Sequence, residues 1–192
     1  MAKTITVVTV NDDFASIALF VGRDLITIKS LVSGSVNLHN IKAKPSMVMK
    51  VKKADLLLRL GMSQDTWLDG VITVARNSLV MNGQPGYLDC SDAIDKLEVP
   101  TGKLDGRLGD VHIEGNPHYW LNPKNGAVIA KQICDRLIVL DPDHRDIYLK
   151  NYQEFVDELN QKILGWKQRM KLVSDTPFVT YHKVWSYFFD FF

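Results

Sequence analysis

Short apolar runs alternate with amphipathic segments over the first two thirds of the chain. β-Branched residues fill the first run, residues 4–10, which is typical of a strand buried on both faces. Strands are predicted at residues 4–10, 25–32, 54–61 and 87–90, and helices at residues 14–21, 47–53, 67–76, 91–97 and 128–139. Strands that alternate with helices predict an α/β fold with a parallel, doubly wound sheet.

A single apolar stripe predicts a much longer helix from about residue 146 to residue 172. Its members recur at steps of four and three: Tyr148, Tyr152, Phe155, Leu159, Ile163, Trp166 and Met170. At 1.5 Å rise per residue the helix would be about 40 Å long. This length suits a rigid connector between two lobes, and it equally suits an amphipathic helix that packs along one domain.

The last segment of the chain is rich in aromatic residues. A strand is predicted at residues 177–181, and four of the last five residues are phenylalanine. No polar cap or tail follows them, so we expect a chain that is truncated shortly after the start of a second lobe.

Composition excludes several classes of protein. The chain has 192 residues, 46% of them hydrophobic, and a formal net charge of +1, with basic residues scattered along it. This argues against a nucleic-acid surface, and no apolar stretch approaches the ~18 residues of a membrane span. No signal peptide is visible, so either the protein is cytosolic or a signal has been removed. Cys90 and Cys134 are interpreted as buried thiols, although a disulfide remains possible.

His118 is the first candidate for chemistry. It lies in the run Asn116-Pro117-His118-Tyr119-Trp120-Leu121-Asn122-Pro123, where Asn122 can cap a helix whose first residue is Pro123. Prolines on both sides restrict the loop, and a rigidly placed imidazole is a common metal ligand. The alternative is a capped loop whose histidine only bonds the backbone.

Two further histidines occupy similar positions. His39 follows the second predicted strand, and His182 ends the strand predicted near the end of the chain. Ligands in open α/β sheets bind at the carboxyl ends of strands, so His39, His118 and His182 together predict a zinc site in a cleft. Buried structural histidines remain an alternative for any one of them. His112 and His144 are expected on the surface or in loops, with His112 a weaker candidate for an accessory ligand.

Several motifs resemble those of the metal-binding receptors of ABC importers, which capture zinc or manganese outside the cytoplasmic membrane. Pro45-Ser46 follows His39 at the family's spacing, and Lys53-Ala54-Asp55-Leu56-Leu57 resembles its "K-A-D-hydrophobic" strand. The run around His118 is close to the family motif D-P-H-x-W-L-D-P. Val179-Thr180-Tyr181-His182 resembles the segment that carries its third ligand. The long helix resembles the helix that joins the family's two lobes.

The resemblance implies a chelatase-like periplasmic binding protein with one metal ion between two lobes. It divides the chain into a metal-binding lobe (residues 1–145), a linker helix (146–173) and the beginning of a truncated second lobe (174–192). His39 and His118 would be ligands from the first lobe and His182 from the second, with the fourth ligand in the missing part. Three histidines resemble the zinc-type members, because imidazole suits zinc better than the harder manganese. Manganese or iron is the alternative cargo.

The resemblance also implies binding without catalysis. The metal-loaded receptor would dock to a membrane permease from the periplasm or from an extracellular membrane anchor. Asn116 and Asn122 stand where the family often has Asp. These two positions therefore offer no carboxylate that could hydrogen-bond to and orient the metal ligands. A truncated chain of this kind is expected to form homo-oligomers by exchanging its long helix between copies.

Two other classes of function remain open. One is a zinc hydrolase, which needs a general base; Glu114 is the nearest acid to His118, and no H-E-x-x-H motif is present. The other is a cytosolic α/β domain with incidental histidines.

Overall fold

A four-stranded parallel sheet forms the centre of the molecule. The computed structural model describes residues 4–34, 36, 41–101, 112–181 and 183–192. The strands are β1 (Ile5–Thr9), β2 (Ile26–Ser30), β3 (Leu56–Arg59) and β4 (Tyr87–Asp89), in the order β2-β1-β3-β4. Every neighbouring pair is parallel, and Val7 in the central strand pairs with Ile28 on one side and Leu56 on the other. The predicted parallel α/β fold is confirmed.

Helices cover both faces of the sheet. They are α1 (Asp12–Gly22), α2 (Pro45–Lys52), α3 (Trp67–Ala75), α4 (Pro123–Leu140), α5 (Arg145–Met170) and α6 (Ser186–Phe191). In the sheet, β2 lies on one side of β1 and β3 lies on the other, so the connections β1–β2 and β2–β3 run in opposite directions across the sheet. Right-handed crossovers therefore place α1 and α2 on opposite faces. The contacts agree, because α1 packs with α4 and α5, whereas α2 packs with α3.

The core explains the unbroken apolar runs in the sequence. Val7 and Val8 of β1 are fully buried, as are Leu56, Leu57 and Leu58 of β3. Central strands of a parallel sheet have helices on both faces, so consecutive side chains are all withdrawn from water.

The long helix is present, as the apolar stripe predicts. α5 has 26 residues, which corresponds to about 39 Å at 1.5 Å per residue. Its first half packs on the domain: Tyr148 is buried, and the Asn151 side chain donates to the carbonyl of Val21 at 2.9 Å. Its second half is more exposed, with Leu164 59% and Trp166 37% accessible. None of the helices in the described ranges is both long and apolar enough to cross a membrane.

The helix predicted at residues 91–97 is wrong, and turns occupy this segment. The amide and the hydroxyl of Ser91 both donate to Asp89 Oδ1, at 2.9 and 2.7 Å. Ser91 therefore belongs to an Asx-type turn after β4 and does not cap a helix.

The strand predicted at residues 177–181 is also wrong. The segment is irregular, and Val179 and Tyr181 are almost completely exposed. A β-strand needs a neighbour for its backbone hydrogen bonds, and within the described part of the chain no strand pairs with these residues. The aromatic segment that follows forms α6, whose Tyr187 is 2% exposed.

Both cysteines are buried free thiols, as interpreted from the sequence. Burial raises the pKa of the Cys134 thiol to about 11 and that of Cys90 well above its usual value. Both side chains therefore stay protonated at neutral pH and behave as small apolar groups.

Candidate metal centre

His118 lies at the carboxyl edge of the parallel sheet. It precedes a short 3-10 turn, Tyr119–Leu121, that leads into α4. The hydroxyl of the fully buried Tyr119 donates to the carbonyl of Leu60, directly after β3, at 2.7 Å. This bond holds the His118 loop at the edge where parallel α/β proteins bind ligands.

The imidazole of His118 is buried and packs against an aromatic ring. The residue is 8% exposed, and its ring lies 5.4 Å from that of Trp120 in an edge-to-face arrangement. Trp120 also meets Phe14, at the start of α1, with ring centroids 6.4 Å apart. The buried imidazole therefore packs against a ring that itself contacts α1, and such packing restricts its rotation, as a pre-organised metal ligand requires.

The helix after this loop begins as the sequence predicts. Asn122 is the N-cap, its side chain accepts from the amide of Lys124 at 2.9 Å, and Pro123 is the first residue of α4. The Asn125 side chain donates back to the carbonyl of Tyr119 at 2.8 Å. Capping at one end and Tyr119 at the other therefore fix the turn that carries His118.

Burial raises the pKa of Tyr119 well above its usual value. The phenol consequently stays protonated at neutral pH and can donate its hydrogen bond to the carbonyl of Leu60.

Arg59 organises the neighbouring loop at the same edge. Its guanidinium donates to Asp65 at 2.7 Å, to Asp69 at 2.9 Å and to the hydroxyl of Tyr87 at 2.9 Å. Burial by itself lowers the pKa of Arg59, but attraction by the adjacent Asp65 carboxylate is the stronger effect, so the pKa of Arg59 is raised. Asp65 is fully buried and also accepts from the amide of Leu60 at 2.7 Å.

This ion-pair network holds an unusual backbone. Gly61, Met62 and Ser63 all have positive φ, and a Cβ on Gly61 would lie 2.0 Å from Asp89 Oδ1. Only glycine fits at residue 61. The roles of Arg59 and Asp65 were not predicted from the sequence, although an arginine that ends an apolar strand is a usable signal of a buried ion pair.

The other two predicted ligands, His39 and His182, lie outside the described residues. Of the three predicted ligands, only His118 can therefore be located. Over the described ranges, no group of three or more His, Cys, Asp or Glu residues could hold a metal ion. The three-histidine site stays a prediction.

His144 occupies the opposite end of the sheet. It lines a cavity of about 440 Å³ with Ile5, at the start of β1, and Asp55, just before β3. Its Nδ1 lies 2.7 Å from Asp141 Oδ2. This histidine is therefore separated from the edge that carries His118.

Comparison with solved structures shows a shared fold. A zinc-bound deletion mutant of ZnuA superposes with a TM-score of 0.79 at 24% identity, over 97% of this chain and 66% of the other. A manganese-bound periplasmic metal-binding protein from Candidatus Liberibacter asiaticus gives a TM-score of 0.77 at 22% identity, over 97% and 65%. These proteins share the expected α/β fold of a parallel sheet with flanking helices.

Sequence relatives point to the same group. The manganese ABC transporter substrate-binding lipoprotein PsaA of Streptococcus pneumoniae is 27% identical over 171 residues, which cover 89% of this chain and 53% of PsaA. A metal ABC transporter substrate-binding lipoprotein of Lactococcus lactis is 27% identical over 188 residues, 97% of this chain and 58% of the relative. The chain thus spans about half the length of the relatives that it matches.

A family profile covers almost the whole chain. The profile described as "ZnuA: Zinc-uptake complex component A periplasmic" matches residues 7–192. The matched range contains the loop of the buried His118 and the strands β2, β3 and β4. The chain belongs to the ZnuA family.

Proposed function

We propose that this protein captures a divalent transition-metal ion, first of all zinc, for delivery to the membrane permease of an ABC importer. One observation carries the proposal in a chain of the ZnuA family: His118 is buried and held in a capped, aromatic-packed loop at the carboxyl edge of the sheet. The family itself is one of substrate-binding transport proteins.

His39, His118 and His182 are the proposed ligands. Three imidazoles favour zinc, which accepts nitrogen ligands at about 2.0–2.1 Å and usually has four ligands. The fourth would be a water molecule or a residue outside these three. Manganese is the second candidate cargo, because the relative from Streptococcus pneumoniae is named as a manganese protein. Iron is a third.

The proposed organisation is a metal-binding lobe at residues 1–145, a linker helix at 146–173 and the beginning of a second lobe at 174–192. The length of α5 and the exposure of its second half support a helix that continues beyond the first lobe. The metal would then lie between the two lobes.

The proposed location is periplasmic, or extracellular with a membrane anchor. Relatives named as substrate-binding lipoproteins of ABC transporters support it. A receptor in this position meets the metal outside the cell and carries it to the permease.

Binding is favoured over hydrolysis. A zinc hydrolase needs a general base beside the metal-bound water. Glu114 is the nearest acid to His118 in sequence, but its carboxylate accepts from the Ser63 hydroxyl at 2.7 Å and lies 4.0 Å from the ammonium of Lys96. These surface contacts already engage the only acid that the sequence suggested for that role.

Self-association by exchange of α5 is a further proposal. Exposed Leu164 and Trp166 on the second half of the helix support it. Sedimentation velocity at increasing protein concentration tests the idea, and a monomer throughout would contradict it.

Calorimetric titration with zinc and with manganese tests the metal proposal. His118→Ala should weaken zinc binding by at least ~100-fold, since even partners of metal ligands contribute about 10–100-fold. His144→Ala is the matched control, because its imidazole pairs with Asp141 at the other end of the sheet. Absence of metal binding by the unmutated chain, or equal affinities for it and His118→Ala, would overturn the proposal.

A further inference from the structure

The side chain of Asn116 bonds two separate parts of the chain at once. Its Oδ1 accepts from the backbone amide of His118 at 3.0 Å. Its Nδ2 donates to Glu98 Oε2 at 3.0 Å and to the backbone carbonyl of Lys183 at 2.6 Å. Asn116 is only 5% exposed. One buried amide therefore joins the loop of His118 to the residue that follows His182 in the chain.

A second set of bonds holds the same two segments together. The amide of Asn116 donates to the carbonyl of Leu97 at 2.8 Å, and the amide of Leu97 donates to the hydroxyl of Tyr187 at 3.0 Å. The Ser186 hydroxyl donates to Glu98 Oε1 at 3.1 Å. Leu97 and Glu98 thus lie between the His118 loop and the segment 183–187 and bond to both.

The junction between the His118 loop, residues 97–98 and residues 183–187 depends on a close approach of backbone segments. Gly115 has a φ of +101°, and a Cβ at that position would lie 2.6 Å from the carbonyl oxygen of Leu97. Glu98 also has a positive φ, of 57°, which is uncommon for a residue with a side chain. These two conformations bring the Asn116 amide and the Glu98 carboxylate together.

The chemistry of the junction requires an amide at residue 116. The two N–H groups of Nδ2 face three oxygens, which belong to Glu98, Lys183 and Ser186. An aspartate has almost the same shape, but it has no donor in its ionised form. Its charge would also face the carboxylate of Glu98, so both the bonds and the electrostatics would become unfavourable.

We propose that Asn116 is a positioning residue that sets the separation between His118 and the segment beginning at Lys183, directly after His182. This role rests on the proposed function, and Asn116 itself would not contact the metal. Metal sites tolerate errors of only about 0.2 Å in ligand distance. The described bonds fix the backbone of His118 relative to that of Lys183. Under the proposed function, this restraint raises metal affinity because it limits the movement of the His118 loop before the metal arrives.

A rescue experiment on the full chain tests this role. Zinc affinity is measured by calorimetry for the unmutated chain and for Asn116→Asp, Glu98→Gln and the double variant. Asn116→Asp should weaken zinc binding about 10-fold or more, in the range found for residues that orient metal ligands. The double variant should recover part of this loss, because the amide of Gln at 98 can donate to the new carboxylate, whereas the carbonyl of Lys183 still faces an oxygen in place of a donor. Glu98→Gln alone retains an oxygen that accepts from Asn116 and should bind nearly normally.

The matched control is Asn160→Asp, the same chemical change at an exposed position of α5. It should leave zinc affinity unchanged. Unchanged affinity in Asn116→Asp, or a loss that Glu98→Gln does not reduce, would overturn the inference.

Hydrogen exchange of the metal-free chain supplies a second readout. Asn116→Asp should speed exchange in peptides covering residues 116–121 and 183–187 together, and the double variant should slow both again. Faster exchange in only one of the two peptides would overturn the coupling. If the unmutated chain binds no zinc, the proposed function fails, and the exchange data alone decide whether Asn116 couples the two segments.

Discussion

Replacing Arg59 by methionine should strongly destabilise the fold. Methionine retains an unbranched apolar side chain but leaves Asp65, which is fully buried, without the guanidinium that contacts it at 2.7 Å. Breaking a buried ion pair by removing one partner costs about 3–5 kcal/mol. The change would therefore remove a large part of a typical total stability of about 5–15 kcal/mol.

The expected loss can be assigned to the unpaired carboxylate by a double-mutant cycle. Asp65→Asn removes the charge and retains an oxygen that can accept from the Leu60 amide. Urea unfolding at pH 7 should show that Arg59→Met together with Asp65→Asn is more stable than Arg59→Met alone. The exposed Asp69, which Arg59 also contacts, supplies the control: Asp69→Asn should cost about 0–1 kcal/mol, as exposed ion pairs do.

The pH dependence of Arg59→Met follows from the same carboxylate. Burial already raises the pKa of Asp65, opposed mainly by Arg59, so removing Arg59 raises it further in the folded state. A raised folded-state pKa stabilises the protein below the unfolded value, and this contribution disappears as pH rises through the folded-state pKa. The destabilisation should therefore be smaller at acidic pH than at pH 7. A loss below about 1 kcal/mol at pH 7, or one that Asp65→Asn does not reduce, would show that an unpaired carboxylate at Asp65 is not the cause of the destabilisation.

Three further substitutions or measurements test other parts of the structure. Asn122→Ala should lower stability by about 1 kcal/mol through loss of the α4 cap, whereas Asn122→Ser should keep most of the stability that the cap provides. Equal urea midpoints for the unmutated chain and both variants would contradict the capping role. Gly61→Ala should lower stability by more than ~1 kcal/mol, because its φ is +73° and its Cβ would meet Asp89. Gly83→Ala tests φ alone, since a Cβ there meets nothing within 4 Å, and should cost less in the same assay. Cys90 and Cys134 should both resist a thiol reagent at pH 8 in the folded chain and react in 6 M guanidinium, because burial raises both pKa values; rapid reaction of the folded chain would be inconsistent with their burial.

Local interactions explain which elements could be predicted from the sequence. The β-branched run of β1, the Asn122-Pro123 start of α4 and the apolar stripe of α5 each depend on residues a few positions apart. Such patterns predict both the type of element and the face that it buries. For His118 they also indicated a constrained loop, and the resemblance to metal receptors then led to the family that the comparisons show.

Interactions between distant residues decided what the sequence could not show. Ser91 bonds Asp89 and so remains in a turn, and residues 177–181 find no strand to pair with among the described residues. The partners of Asn116 at Glu98 and Lys183 are equally invisible in sequence, because the chain brings them together only after the sheet and helices have packed. Local periodicity and residue type were enough to predict most elements and the chemical identity of the candidate ligand. The place of His118 in the fold, and the bonds that hold its loop, became visible only in the folded chain, because both depend on contacts between residues far apart in sequence.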